Sequence, residues 1–170
     1  MDLKRYVRDI KDFPKEGIVF KDITPLLQDK VALQKATEGL VDLVGDLKID
    51  KIVGMESRGF IFAPILAYRL NAGFVPIRKP GKLPHNKLSE SFELEYGEDI
   101  LEMHSDAINA GDKVLVHDDV LATGGTASAV AKLVARAGGE IVQFNFLLEL
   151  TFLNGRDKVA TWPVRSLLSY

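Results

Sequence analysis

Short apolar runs alternating with longer segments of helical period constrain this chain more than any other feature. The runs "KIVGM", "FVPIR", "KVLVH" and "IVQFNFLL" are rich in Val, Ile and Phe. Between and around them, residues 31–46 ("VALQKATEGLVDLVGD"), 59–70 ("GFIFAPILAYRL") and 125–137 ("GTASAVAKLVARA") repeat their apolar positions at helical spacing. Strands separated by helices predict an α/β fold whose central, mainly parallel sheet is flanked by crossover helices. Gly138 and Gly139 supply a stop for the last helix. Pro64, inside the second, predicts a kink or a later start. With 170 residues, 46% of them hydrophobic, the chain can bury one sizeable core but not two comfortable ones, so a single domain over residues 1–170 is expected. The stretch from 80 to 97, "PGKLPHNKLSESFELEYG", is polar, broken by Pro and Gly, and longer than an ordinary connection, as flexible lid loops are.

Charge and composition narrow the partners. A formal net charge of -2 leaves no basic excess for a nucleic-acid backbone or an anionic membrane, so an anionic ligand must be met by locally placed groups. No nucleic acid and no membrane is therefore expected, and a small molecule is favoured. The absence of cysteine removes disulfides, thiolate catalysis and zinc-thiolate sites together. The start "MDLKRYVRDIKDF" is too charged for a secretory signal, and no apolar run approaches the about 20 residues that span a bilayer. A cytoplasmic protein is the expectation.

The chemistry concentrates in "VLVHDDVLATGGTASAV", residues 114–130. Ala122, Thr123, Gly124, Gly125 and Thr126 offer consecutive backbone amides where a helix begins, and the two glycines let an anion approach the main chain. No Lys follows the glycines as in a Walker loop, and "GxGxxG" is absent. Just upstream, Asp118 and Asp119 can accept hydrogen bonds from a diol or hold a hydrated divalent cation. Phosphate beside a diol describes a phosphorylated ribose. A capped strand-to-helix turn would explain one Asp, but not the pair together with "ATGGT".

"VHDDVLATGGT" resembles the phosphoribosyl pyrophosphate (PRPP) signature of the type I phosphoribosyltransferases. "DFPKEGIVFKDITPLL", "GMESRGFIFAPILA", "PIRKPGKLP", "LEYG" and "WPVRSLLSY" follow the order of the adenine-specific branch, so the resemblance covers residues 5–170. It implies that fold with a small N-terminal hood at about 10–27, a core at about 31–150, and purine salvage in which adenine and PRPP give AMP and pyrophosphate. It also implies Mg2+ carried by PRPP, reached at most through water by Asp118 and Asp119, and a homodimer.

The same resemblance distributes the remaining roles. Ser57 and Arg58 in "GMESRGF", with Arg78, Lys79 and Lys82 in "IRKPGK", would bind pyrophosphate, Arg78 reaching the neighbouring subunit's site. Arg58 suits the task chemically, because a departing pyrophosphate needs cations; charge clusters such as 78–82 are also common solvated faces. Val19, Phe20 and Lys21 would bind adenine, through the Val19 carbonyl, the Lys21 amide and the Phe20 ring. Glu95 and Tyr96, with Arg58 the candidate catalytic residues, would close the lid, Glu95 managing the N7 proton. His117 departs from the family's usual apolar residue and is read as a satisfied core histidine; Val120 stands where Leu is frequent. His85 and His104 are isolated in sequence, without metal-ligand spacing. A purine sensor with the same fold and a transferase for another purine are the rival functions, separable by turnover with each base.

Overall fold

The computed structural model describes residues 1–94 and 97–170. The chain divides into two compact units, Met1–Gly39 and Leu40–Tyr170. The helix Lys30–Asp42 runs across that division. No helix among the described residues is long and apolar enough to cross a membrane.

In the first unit, β1 (Arg8–Lys11) pairs antiparallel with β2 (Val19–Asp22). The turn between them is tied by the Gly17 amide donating to Asp12 Oδ1 at 2.8 Å, with Gly17 at φ +84 where a side chain would be strained. Phe13 and Phe20 meet edge to face at 5.2 Å. A short helix α1 (Thr24–Gln28) opens with Pro25, which lacks only an amide that the first turn leaves unused. Asp29 then caps α2 (Lys30–Asp42), accepting from the amides of Val31 and Ala32 at 2.9 and 2.8 Å. The helix stops short of the expected residue 46 because Gly45 adopts φ +61 and the chain turns.

The second unit carries a five-stranded sheet in the order β4 (Gly73–Ile77), β3 (Lys51–Met55), β7 (Lys113–Leu121), β8 (Glu140–Glu149), β9 (Val164–Ser169). Every pairing in it is parallel, as the apolar runs predict. Helix α3 (Gly59–Arg69) joins β3 to β4 and α4 (Gly125–Arg136) joins β7 to β8. Val53, Met55, Val114, Val116, Phe144 and Phe146 of the sheet form one buried cluster with Val130, Leu133 and Val134 of α4. Helix α3 starts where expected despite Pro64, which lies on its exposed side. Helix α4 ends as predicted, the amides of Gly138 and Gly139 donating back to Ala135 and Val134.

The lid stretch departs from expectation. Residues 87–93 form β5 (Lys87–Glu93), which pairs antiparallel with β6 (Glu98–His104) in a separate hairpin. Its strand periodicity is visible in burial: Leu88, Glu90 and Phe92 face inward and their neighbours outward. Leu88 and Phe92 pack on the buried cluster, while Glu90 meets Lys132 and Arg136 of α4, each at 3.2 Å. Polar composition concealed this strand because its inward face is itself partly charged.

Candidate active site

Parallel pairing sets the C-terminal ends of β3, β4, β7, β8 and β9 at one edge of the sheet, where ligands of open α/β sheets bind. The loops at that edge hold most of the residues singled out in the sequence. After β7 come Ala122, Thr123 and Gly124, then α4. Gly124 is at φ +79, the left-handed turn that aims the following amides along the helix axis. Gly125, Thr126 and Ala127, whose amides at the start of α4 have no partner within the helix, line a cavity of about 70 Å3. Asp118 and Met55 also line that cavity.

Asp118 and Asp119 lie within β7, three and two residues before its end. Asp118 Oδ1 accepts from the Asp119 amide at 2.8 Å. Asp119 is almost fully buried, and its Oδ2 has no hydrogen-bond partner although Arg58 Nε forms an ion pair with it at 2.9 Å. Burial raises the pKa of both carboxyls; for Asp118 the Asp119 charge adds to the rise, and for Asp119 Arg58 opposes it. The turn Glu56–Ser57–Arg58 after β3 is drawn against this pair. A Cβ at Gly59 would stand 2.9 Å from Asp118 Oδ1, so only glycine lets the start of α3 approach so closely.

The basic loop after β4 is held by acids. Arg78 Nε donates to Glu56 Oε2 at 3.1 Å, and the Lys79 amide donates to the same oxygen at 2.8 Å. These bonds hold Glu56 below the usual carboxylate range, the Arg78 bond most strongly. Lys79 Nζ pairs with Asp99, whose pKa falls for that reason, and the Gly81 amide donates to Glu102 at 3.1 Å. Lys82 is exposed. Arg78 and Lys79 are thus wired to acids while Lys82 stays on a solvated face, and Arg58, Arg78 and Lys79 all have carboxylate partners.

In the first unit, Lys21 Nζ pairs with Asp9 at 2.6 Å, Val19 is 45% exposed and Phe20 is half-buried. Glu95 and Tyr96 lie outside the described residues. His117 is in the core, but only half satisfied: Nδ1 is 3.0 Å from Asn145 Oδ1, and Nε2 has no partner. Because Asn145 Nδ2 donates to the Leu40 carbonyl, its Oδ1 accepts, which assigns the His117 proton to Nδ1. His85 and His104, isolated in sequence, meet in space with ring centres 6.0 Å apart. Sequence inspection missed the segment after β8. Gly155 touches the Gly124 backbone, and Lys158 lines a space shared with Thr123, Gly125 and Thr126. Their only advance signal was Gly155 followed by charged residues.

A glycine-led helix start at the end of a parallel strand, with adjacent acids before it, is the arrangement of a phosphoribosyl-binding protein. The sequence pattern of the phosphoribosyl transferase domain family matches residues 23–163. The adenine phosphoribosyltransferase of Flavobacterium johnsoniae is 61% identical over 170 residues, covering 100% of both chains. Among solved structures, that of the adenine phosphoribosyltransferase from Thermoanaerobacter pseudethanolicus matches with a TM-score of 0.97 and 51% identity, covering 99% of this chain and 98% of its own. The Saccharomyces cerevisiae enzyme, solved with an imino-altritol bisphosphate and adenine, matches with a TM-score of 0.93 and 43% identity over 98% of this chain and 97% of its own. The chain belongs to the adenine phosphoribosyltransferases. Its reaction is the transfer of the 5-phosphoribosyl group from PRPP to adenine in purine salvage, giving AMP and pyrophosphate.

Proposed function

We propose that the loop Ala122–Thr126 grips the 5-phosphate of PRPP and AMP while Asp118 and Asp119 engage the ribose diol. The observation that carries this assignment is that the first residues of α4 line the same cavity as Asp118. Main-chain donors at a helix N-terminus suit a phosphate, and carboxylates suit hydroxyls; the reverse assignment would set like charges together.

Bond breaking at the anomeric carbon sends an electron pair to the departing pyrophosphate oxygen and leaves cationic character on the ribose. Adenine N9 then bonds to that carbon, and the base loses one proton. Ser57 and Arg58 receive the pyrophosphate, with Arg78, Lys79 and Lys82 completing its cationic surroundings. Arg58 already sits beside Asp119, so binding is an exchange of its carboxylate partner for phosphate oxygens. Glu95 and Tyr96 close over the base, Glu95 taking part in the proton transfer at its imidazole side. Val19 and Lys21 read the adenine edge through main-chain groups, with Phe20 against its face.

Mg2+ fits these residues. Asp119 offers a buried oxygen without a hydrogen bond, and Asp118 stands next to it. An adjacent pair of carboxylates suits a hydrated ion brought by PRPP and reached through water. When bound, it neutralises charge on the diphosphate. Arg78 acting across a homodimer belongs to the same proposal.

The test is turnover with PRPP, Mg2+ and each of adenine, hypoxanthine, guanine and xanthine, followed as pyrophosphate release, together with an AMP-soaked crystal. Adenine alone should turn over, with the AMP phosphate on residues 122–126. A nucleotide bound elsewhere defeats the site assignment, and no turnover with any base would favour a sensor.

A further inference from the structure

The segment after β8 carries a device that neither the phosphate loop nor the pyrophosphate residues explain. Gly155 is buried and lies backbone to backbone with that loop. A Cβ at Gly124 would overlap the Gly155 carbonyl oxygen and stand 3.2 Å from its Cα; a Cβ at Gly155 would overlap the Ala122 carbonyl oxygen and stand 3.1 Å from the Gly124 nitrogen. Gly155 is not among the positive-φ glycines, so what demands glycine there is close approach, not backbone conformation. Each chain segment occupies the volume that a side chain on the other would need.

The neighbour of this glycine is anchored. Arg156 forms a two-pronged pair with Glu149 at the end of β8, Nε to Oε1 and Nη2 to Oε2 both at 2.6 Å, and its Nη1 donates to the Val164 carbonyl at 2.8 Å. Ser166 donates to Glu149 Oε2 at 2.8 Å. Glu149 is only 3% exposed. Burial acts to raise its pKa, but the Arg156 and Ser166 bonds outweigh that and hold it below the usual range. The Leu150 amide donates to the Leu121 carbonyl at 2.9 Å, so the segment is also tied to the last residue of β7, directly before the phosphate loop. A planar, bidentate guanidinium fixes direction as well as distance, which a lysine cannot do.

We propose that Gly155, held in place by the Arg156–Glu149 clamp, is a positioning element that sets the shape of the phosphate loop and thereby the affinity for PRPP. The inference rests on the reading of residues 122–126 as the 5-phosphate site. The clamp itself touches no substrate. Its effect passes through the backbone contact between Gly155 and Gly124, so it acts on the phosphate end of the substrate and leaves recognition of the base alone.

The experiment measures PRPP binding with Mg2+ by titration calorimetry, and the KM for adenine at saturating PRPP, in Arg156→Gln, Arg156→Lys, Gly155→Ala and Thr126→Val. Arg156→Gln strands a buried carboxylate, so the charge-balanced double variant Glu149→Gln with Arg156→Gln is included in case the single variant does not fold. Loss of the clamp should weaken PRPP roughly tenfold, a misplacement effect transmitted through contacts, while the adenine KM stays within about twofold. Arg156→Lys should recover part of the loss. Clamp variants that fold and bind PRPP as the wild type does, or that raise both constants in parallel, overturn the inference. Thr126→Val is the control for the site itself: unchanged PRPP binding there overturns the phosphate-site reading and the inference with it, whereas weakened binding there beside intact clamp variants overturns the inference alone.

Discussion

Arg58 faces two ways, toward Asp119 in the structure and toward pyrophosphate in the proposed reaction. Replacing it with Gln should lower kcat on the order of 10²–10³-fold, as removal of one preorganised charge donor does, measured by steady-state pyrophosphate release. His117 makes a different prediction, about stability. Its burial beside Phe62 and Asn145 depresses its pKa from 6.5 to about 4, desolvation outweighing the Asn145 bond. As the folded value is the lower one, the unfolded chain takes up the proton first when pH falls. The stabilisation is therefore complete above about 6.5, erodes as pH drops, and is exhausted near 4. The difference corresponds to about 3 kcal/mol at most. Urea unfolding across pH 7 to 4.5 should show this slope, and His117→Leu should flatten it; an equal slope in both proteins would assign the acid sensitivity elsewhere. The sequence marked His117 as unusual but could not reveal that Asn145, 28 residues away, supplies the bond to only one of its nitrogens.

At the scale of elements, the hairpin β5–β6 rests on α4 through Glu90, which pairs with Lys132 and Arg136, and through the Arg136 guanidinium donating to the Ser89 carbonyl at 2.6 Å. Lys132 and Arg136 are largely exposed, so each pair is worth no more than about 1 kcal/mol. Glu90→Gln should speed amide exchange in residues 87–93 and 98–104 while lowering the melting temperature by at most about 4–8 °C, because Leu88 and Phe92 keep their contacts. Uniform protection in that variant would mean the ion pairs do not restrain the hairpin. The parallel strands were legible because burial on both faces writes continuous apolar runs, as in "KVLVH". Strand β5 was not, since its inward side alternates Leu, Glu and Phe among polar residues and carries Pro and Gly just upstream. Strand β9 escaped for a related reason: at the sheet edge only Val164 and Leu168 of its residues are buried, and the pattern is diluted.

For the whole molecule, the loop 122–126 proposed for the phosphate and the acids before it stood out in the sequence because glycine, threonine and aspartate at that spacing have few other uses. The contact of Gly155 with Gly124 was not, because a meeting of two backbones leaves no side-chain signature. Assembly offers the broadest prediction. If Arg78 serves the neighbouring subunit, mixing inactive Arg78→Ala with inactive Asp119→Asn subunits should restore activity, since one site of each hybrid dimer then holds both groups intact; persistent inactivity after verified subunit exchange would assign Arg78 to its own chain. The meeting of Gly124 with Gly155 also orders events in time. A ribosome delivers residue 124 well before residue 155, and for that interval the emerging polypeptide has the turn proposed for the phosphate but not the wall behind it. Translation intermediates in which residue 124 but not residue 155 has cleared the ribosome should hence retain PRPP poorly even where the preceding strands have already folded.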